Sequence, residues 1–146
     1  MAFISVTRLR IRSWFYVPQF LLQSSKSIKQ AERSAGFLGG SLLRDRKNTF
    51  WTLTAWTDGA AMNAFRISGA HGAVMRKLLH WCDEASVVNW EQETSDLPPW
   101  KEAHQRMVKD GRLSKVNHPS PDQLSNTIPE PVLGRAELKL KASPKR

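Results

Sequence analysis

Cysteine is almost missing from this sequence: Cys82 stands alone among 146 residues. No internal disulfide can form, which fits a reducing compartment and leaves packing to hold the fold. Long apolar runs are missing too, and none approaches the roughly 18–20 residues that a membrane-spanning helix needs. The opening stretch MAFISVTRLRIRSW places arginines where a signal peptide carries its apolar region. No export signal is expected, and a cytoplasmic location is the default. Acidic residues are scarce, 13 against 22 lysines and arginines, for a formal charge of +9. Such a balance raises nucleic acid or an anionic surface as a partner. Its distribution argues against nucleic acid. Seven basic and three acidic residues fall between Gly111 and Arg146, and the remaining excess is scattered. No ribonucleoprotein-type aromatic signature, zinc-finger ligand set or helix-turn-helix accompanies it. Also missing are a glycine-rich phosphate cradle and a nucleophile elbow. His80, His104 and His118 form no metal-ligand spacing with His71, so no metal site is read.

What is present is a globular pattern. Apolar residues make up 40% of the chain, and its length suits one domain of ordinary size. FISVTRL, residues 3–9, reads as a strand. Pro18 opens an amphipathic helix in which Val17, Phe20, Leu21, Ser24, Ile28, Ala31 and Ala35 recur at helical spacing, with Gly36 as the stop. FLGGSLLRD (37–45) and NTFWTLTAW (48–56) form a hairpin around a short polar turn. In the second strand Phe50, Thr52, Thr54 and Trp56 face one way, and Trp51, Leu53 and Ala55 the other. Asp58 caps a further helical region that Gly69 interrupts, and Ser68 offers a second cap. ASVVNWEQ (85–92) is the last strand of this unit. The order β-α-β-β-α-β predicts an α+β, ferredoxin-like fold with a four-stranded antiparallel sheet.

Three segments are expected: the ferredoxin-like domain over residues 1–95, a helical extension over 96–116, and an arm over 117–146. Five of the eight prolines lie in the arm, which reads as extended or disordered, basic and proline-rich. Two helices on one side of four strands leave the other sheet face apolar and uncovered, so a homodimer is expected.

The run FWTLTAWTDGAAMNAFRISGAHGAVMRKLLHWCDEASVVNW, residues 50–90, resembles the DUF3291 family and, with it, the antibiotic-biosynthesis-monooxygenase superfamily. Spheroidene monooxygenase shows a similar run. The shared theme is a strand ending in Trp, then Asp and small residues, Ala-Phe, Gly-x-His and a Met-containing helix. The resemblance extends over residues 3 to about 92. It implies a dimeric α/β barrel with a small pocket between the sheet and the helices of each subunit. Cofactor-independent oxygenases of that superfamily act on electron-rich aromatic substrates that reduce oxygen themselves. Its bacterial haem-degrading members carry Asn, Trp and His where this chain has Thr7, Phe65 and Met75, which argues against haem degradation by that arrangement.

His71 is the candidate catalytic residue. It stands near the start of a helix on the stripe of Val74, Met75 and Leu78, placed to act as a general base or an axial haem ligand. The alternative is that it orients the break at Gly69. Trp51, Phe65, Met75 and Trp90 are the candidate pocket wall; Trp56 and Trp81 are further aromatics that could line a pocket, although all of these serve equally in a core. Cys82 reads as inert packing, and Arg66 and Glu84 as surface or helix-end charges. The expected function is a monooxygenase-like enzyme acting on an apolar or aromatic small molecule. The alternative is a non-catalytic binder of haem or another hydrophobic ligand. No cofactor is readable; haem held by His71 stays open.

Overall fold

β1 (Ala2–Ile11) is buried on both faces, because it lies in the middle of a sheet that is covered on both sides. It pairs antiparallel with β3 (Thr49–Trp56) on one side and with β4 (Cys82–Gln92) on the other. β2 (Phe37–Arg44) joins β3 as the expected hairpin. In this computed structural model, residues 1–133 and 136–142 are described, apart from the side chains of Ala70 and His71. The sheet has six strands rather than four, in the order β5-β4-β1-β3-β2-β6. The two additional strands are β5 (Arg112–Leu113) beside β4 and β6 (Ala136–Leu140) beside β2. Both come from the C-terminal third. The edges of the four-stranded unit carry unpaired backbone groups, and these segments satisfy them.

α1 (Val17–Arg33), α2 (Gly59–Arg66) and α3 (Gly69–Trp81) lie on one face of the sheet. α1 has Pro18 in its first turn and stops before Gly36, whose φ of +83° suits glycine. A Cβ there would stand 2.6 Å from both Ala61 Cβ and Thr57 Oγ1, so the turn also needs the missing side chain. Asp58 caps α2 by accepting from the Ala61 amide at 2.8 Å. At the break between α2 and α3, Gly69 has φ +57°. Gln30 of α1 holds that break, its amide donating to the carbonyls of Ser68 (2.7 Å) and Phe65 (3.2 Å). α3 runs straight into β4 at Cys82, three residues earlier than the spacing predicts, because Cys82 pairs with Ile11 past a register shift in β1.

The opposite face is where the sequence expectation needs correction. α4 (Trp100–Asp110) lies across it, with Trp100, Ala103 and Met107 packed on Ile4, Val6, Leu43, Trp51, Leu53 and Val88. The uncovered face that predicts a dimer is filled by the chain itself. The stretch expected to be an extended arm contains α5 (Pro121–Ser125) and β6. Polar contacts fasten it. Ser120 Oγ donates to Glu84 at 2.7 Å, the Gln123 side chain bonds both the amide (3.1 Å) and the carbonyl (3.3 Å) of Ala85, and Val132 N donates to Asp45 at 3.0 Å.

Glu84 is also corrected: it is 1% exposed rather than a surface charge. It stands opposite Arg10 across the β1–β4 pair, on the α4 side. Arg8 (2.7 Å) and Arg10 (2.9 Å) both donate to its carboxylate. Burial alone would raise its pKa, but the bonds from Ser120, Arg8 and Arg10 outweigh burial and hold it below the usual glutamate value. Cys82 is fully buried, and burial, with help from the Asp83 charge, pushes its thiol up to about 12.

Candidate functional site

A cavity of about 610 Å³ separates the sheet from α1, α2 and α3. Its origin is a size pattern along the strands. At one end of the helix-facing side, Phe50 packs on Phe20 at 4.8 Å between ring centroids. At the other end, Trp56 packs on Phe37 (5.1 Å) and Phe65 (5.2 Å). These large side chains prop the helices off the sheet. Between them the two central strands carry only Ser5 and Thr7 of β1 opposite Thr54 and Thr52 of β3, flanked by Leu42 of β2 and Val87 of β4. Small residues between tall supports leave an opening of the size that small-molecule sites have.

The floor is therefore a band of neutral hydroxyls, continued by the Asn89 amide of β4, which is level with Ser5. The roof is mostly apolar: Phe20, Ile28 and Ala31 of α1, Met62 and Phe65 of α2, and Val74, Met75 and Leu78 of α3, with the exposed Asn63 and Arg66 of α2 at its edge. Ser24 and Ser27 interrupt it. Three lining residues hold a buried polar atom without a hydrogen-bond partner among the described residues: Ser27 Oγ, Trp56 Nε1 and Asn89 Oδ1. Leaving such an atom unsatisfied costs about 1–3 kcal/mol. No described carboxylate lines the cavity, and Cys82 is outside it. The described walls thus offer hydrogen bonds, shape and, through Arg66, Arg112 and Lys115, positive charge to a bound molecule.

Of the expected wall, Phe65 and Met75 line this cavity, while Trp51 and Trp90 are on the opposite face. Strand parity decides this, since odd positions of β3 and even positions of β4 point toward α4. Trp51 Nε1 donates to Asp45 at 3.1 Å, and its ring meets Trp100. Trp90 lies under the Arg106 guanidinium at 4.3 Å. Trp56 supplies the indole in the cavity instead. Thr7, Phe65 and Met75 all line it, so the three positions that differ from the haem-degrading pattern belong to one site. His71 falls within α3, one turn before Val74 and Met75, but its side chain lies outside the described residues. Among the described residues, no three His, Cys, Asp or Glu side chains gather as metal ligands.

Ser27 and Asn89 are not singled out by the sequence reading, whereas Trp56 is among the aromatics that could line a pocket. The signal in the sequence is for the floor: the alternation of small hydroxyl residues, Ser5-x-Thr7 and Thr52-x-Thr54, the latter bracketed on the same face by Phe50 and Trp56.

Solved structures share this architecture. SnoaB, a cofactor-independent oxygenase from Streptomyces nogalater, is 18% identical with a TM-score of 0.51, over 67% of this chain and 98% of that one. A conserved protein from Methanosarcina mazei Go1 is 14% identical with a TM-score of 0.57, over 64% and 94%. An antibiotic biosynthesis monooxygenase is 14% identical with a TM-score of 0.56, over 63% and 99%. At such identities the likeness is one of fold. No curated protein matches the chain. The family model for a domain of unknown function, DUF3291, matches residues 17–112, and the chain belongs to that family.

Proposed function

We propose that the protein is a monooxygenase-like enzyme that holds an apolar or aromatic small molecule between its sheet and its three N-terminal helices. The observation that carries this reading is the cavity itself: a mostly apolar roof over a floor whose centre is a band of neutral hydrogen-bonding groups. An electron-rich substrate fixed there would supply the electrons for its own oxygenation, one oxygen atom entering the substrate and the other leaving as water. The chain's part would be to bind, orient and exclude water. The likeness of fold to a cofactor-independent oxygenase supports the same reading.

His71 keeps the proposed role of general base, since the helical spacing puts its position on the stripe of α3 that contributes Val74, Met75 and Leu78 to the wall. With α4 seated on the other face, we propose that one copy of the chain forms the complete site. The test is oxygen consumption by purified protein supplied with dihydroxynaphthalenes as electron-rich probes. Uptake without added flavin, haem or metal is expected. It should fall about 10²-fold in His71→Ala, the lower range for loss of a general base. Unchanged uptake in His71→Ala would remove the base role, and failure to bind any aromatic probe would remove the enzyme reading.

A further inference from the structure

One end of the cavity is closed by residues 112–116, and that end is positively charged. Arg112 pairs with Val87 across β4 and β5 and so falls on the cavity side of the sheet, and Lys115 joins it in the lining. Neither has an acidic partner within ion-pair distance among the described residues. The segment is held in place. The Ser114 amide donates to Ala85 O at 2.9 Å, Gln123 Nε2 donates to Ser114 O at 2.9 Å, and the Asn117 amide donates to Leu79 O at 2.9 Å. Val116 packs against the cluster of Ile11, Phe20 and Trp81. The backbone of this segment is thus fixed, and it places two exposed cations at the rim of a cavity whose lining also includes Arg66 of α2 and no described carboxylate.

Deeper in, Ser27 Oγ, Trp56 Nε1 and Asn89 Oδ1 are buried without partners among the described residues, and Ser27 and Trp56 are more than nine-tenths buried. An indole N–H gives a hydrogen bond and a hydroxyl gives or takes one, which suits oxygen on the ligand body. We infer that the ligand of this cavity is an anionic amphiphile. Its ring body, bearing a hydroxyl or carbonyl oxygen, lies under the apolar roof, and its acidic group meets Arg112 and Lys115 at the rim. The inference deepens the proposed function by naming the substrate class, and it rests on that use of the cavity.

Two fluorescent probes with the same aromatic body separate the two ideas. 1-Anilinonaphthalene-8-sulfonate carries an anion; N-phenyl-1-naphthylamine does not. In the full chain, the double variant Arg112→Gln/Lys115→Gln should lose about 2- to 30-fold in affinity for the sulfonate, the range two exposed ion pairs give. The neutral probe should bind unchanged. Lys26→Gln, an exposed cation on α1 outside the cavity lining, should change neither. Ser24→Trp, which fills the cavity from a half-buried position of α1, should weaken both probes.

Equal loss of both probes in the double variant would make residues 112–116 a simple closure and overturn the anion inference. No loss of either would overturn it too, while leaving the cavity reading intact. Sulfonate binding insensitive to Ser24→Trp would place the probe elsewhere and also overturn it. If the parent binds neither probe, the proposed function falls together with the inference.

Discussion

Replacing Met107 by alanine tests whether α4 substitutes for a second subunit. Met107 is 1% exposed and packs with Trp100 and Ala103 on the sheet face that carries Ile4, Val6 and Val88. Truncating a buried methionine removes its transfer free energy and leaves a cavity, together about 2–5 kcal/mol. Whole domains have only about 5–15 kcal/mol in reserve. For a chain of this length the loss should lower Tm by about 6–15 °C, read by thermal melts followed by circular dichroism. The parent should elute as a monomer near 16.6 kDa by light scattering at micromolar concentration. Met107→Ala should begin to self-associate, because a loosened α4 uncovers apolar sheet. A parent with twice the monomer mass would refute the substitution argument. So would a Met107→Ala variant that melts within a degree or two of the parent.

Glu84→Gln should cost about 3–5 kcal/mol in urea unfolding at neutral pH, since it leaves Arg8 buried without its countercharge. The folded pKa of Glu84 is held below its unfolded value, so its stabilisation is present above the unfolded pKa and fades as pH falls through the folded one. Asp83, raised first by burial, works in the opposite direction. Subtracting the acid-unfolding curve of Glu84→Gln from that of the parent therefore isolates the Glu84 part, and a pH-independent difference below pH 5 would contradict it. Cys82 should resist thiol reagents at pH 8 in the folded state and react on denaturation, as its burial and raised pKa require; rapid labelling of native protein would count against that placement. Gly36→Ala should lower stability measurably, because the residue has positive φ and its Cβ would collide with Ala61. An unchanged urea midpoint would show that the turn relaxes freely.

The four central strands and three N-terminal helices are legible in the sequence because local rules produce them. Alternation in Thr49–Trp56 sets two faces, Pro18 and Gly36 bracket α1, and Asp58 caps α2. Even the separation of Trp51 from Trp56 follows from strand parity. What parity alone leaves open is which face holds the cavity, so Trp51 and Trp90 pass as wall candidates until the sheet is assembled. The C-terminal third is harder for a different reason. Its prolines and polar residues form no strong periodic pattern, and its order comes from distant partners: Ser120 on Glu84, Val132 on Asp45 and β6 on β2. The sequence by itself determined the order of elements, the amphipathic helix and the register of alternating faces, since these depend on neighbours within a few residues. Only the tertiary structure decided that α4 covers the second face, that Glu84 turns inward, and that Ser27, Trp56 and Asn89 meet across one cavity with Arg112 and Lys115 at its rim. Those contacts join residues far apart in the chain, and their energies exist only once the sheet has brought them together.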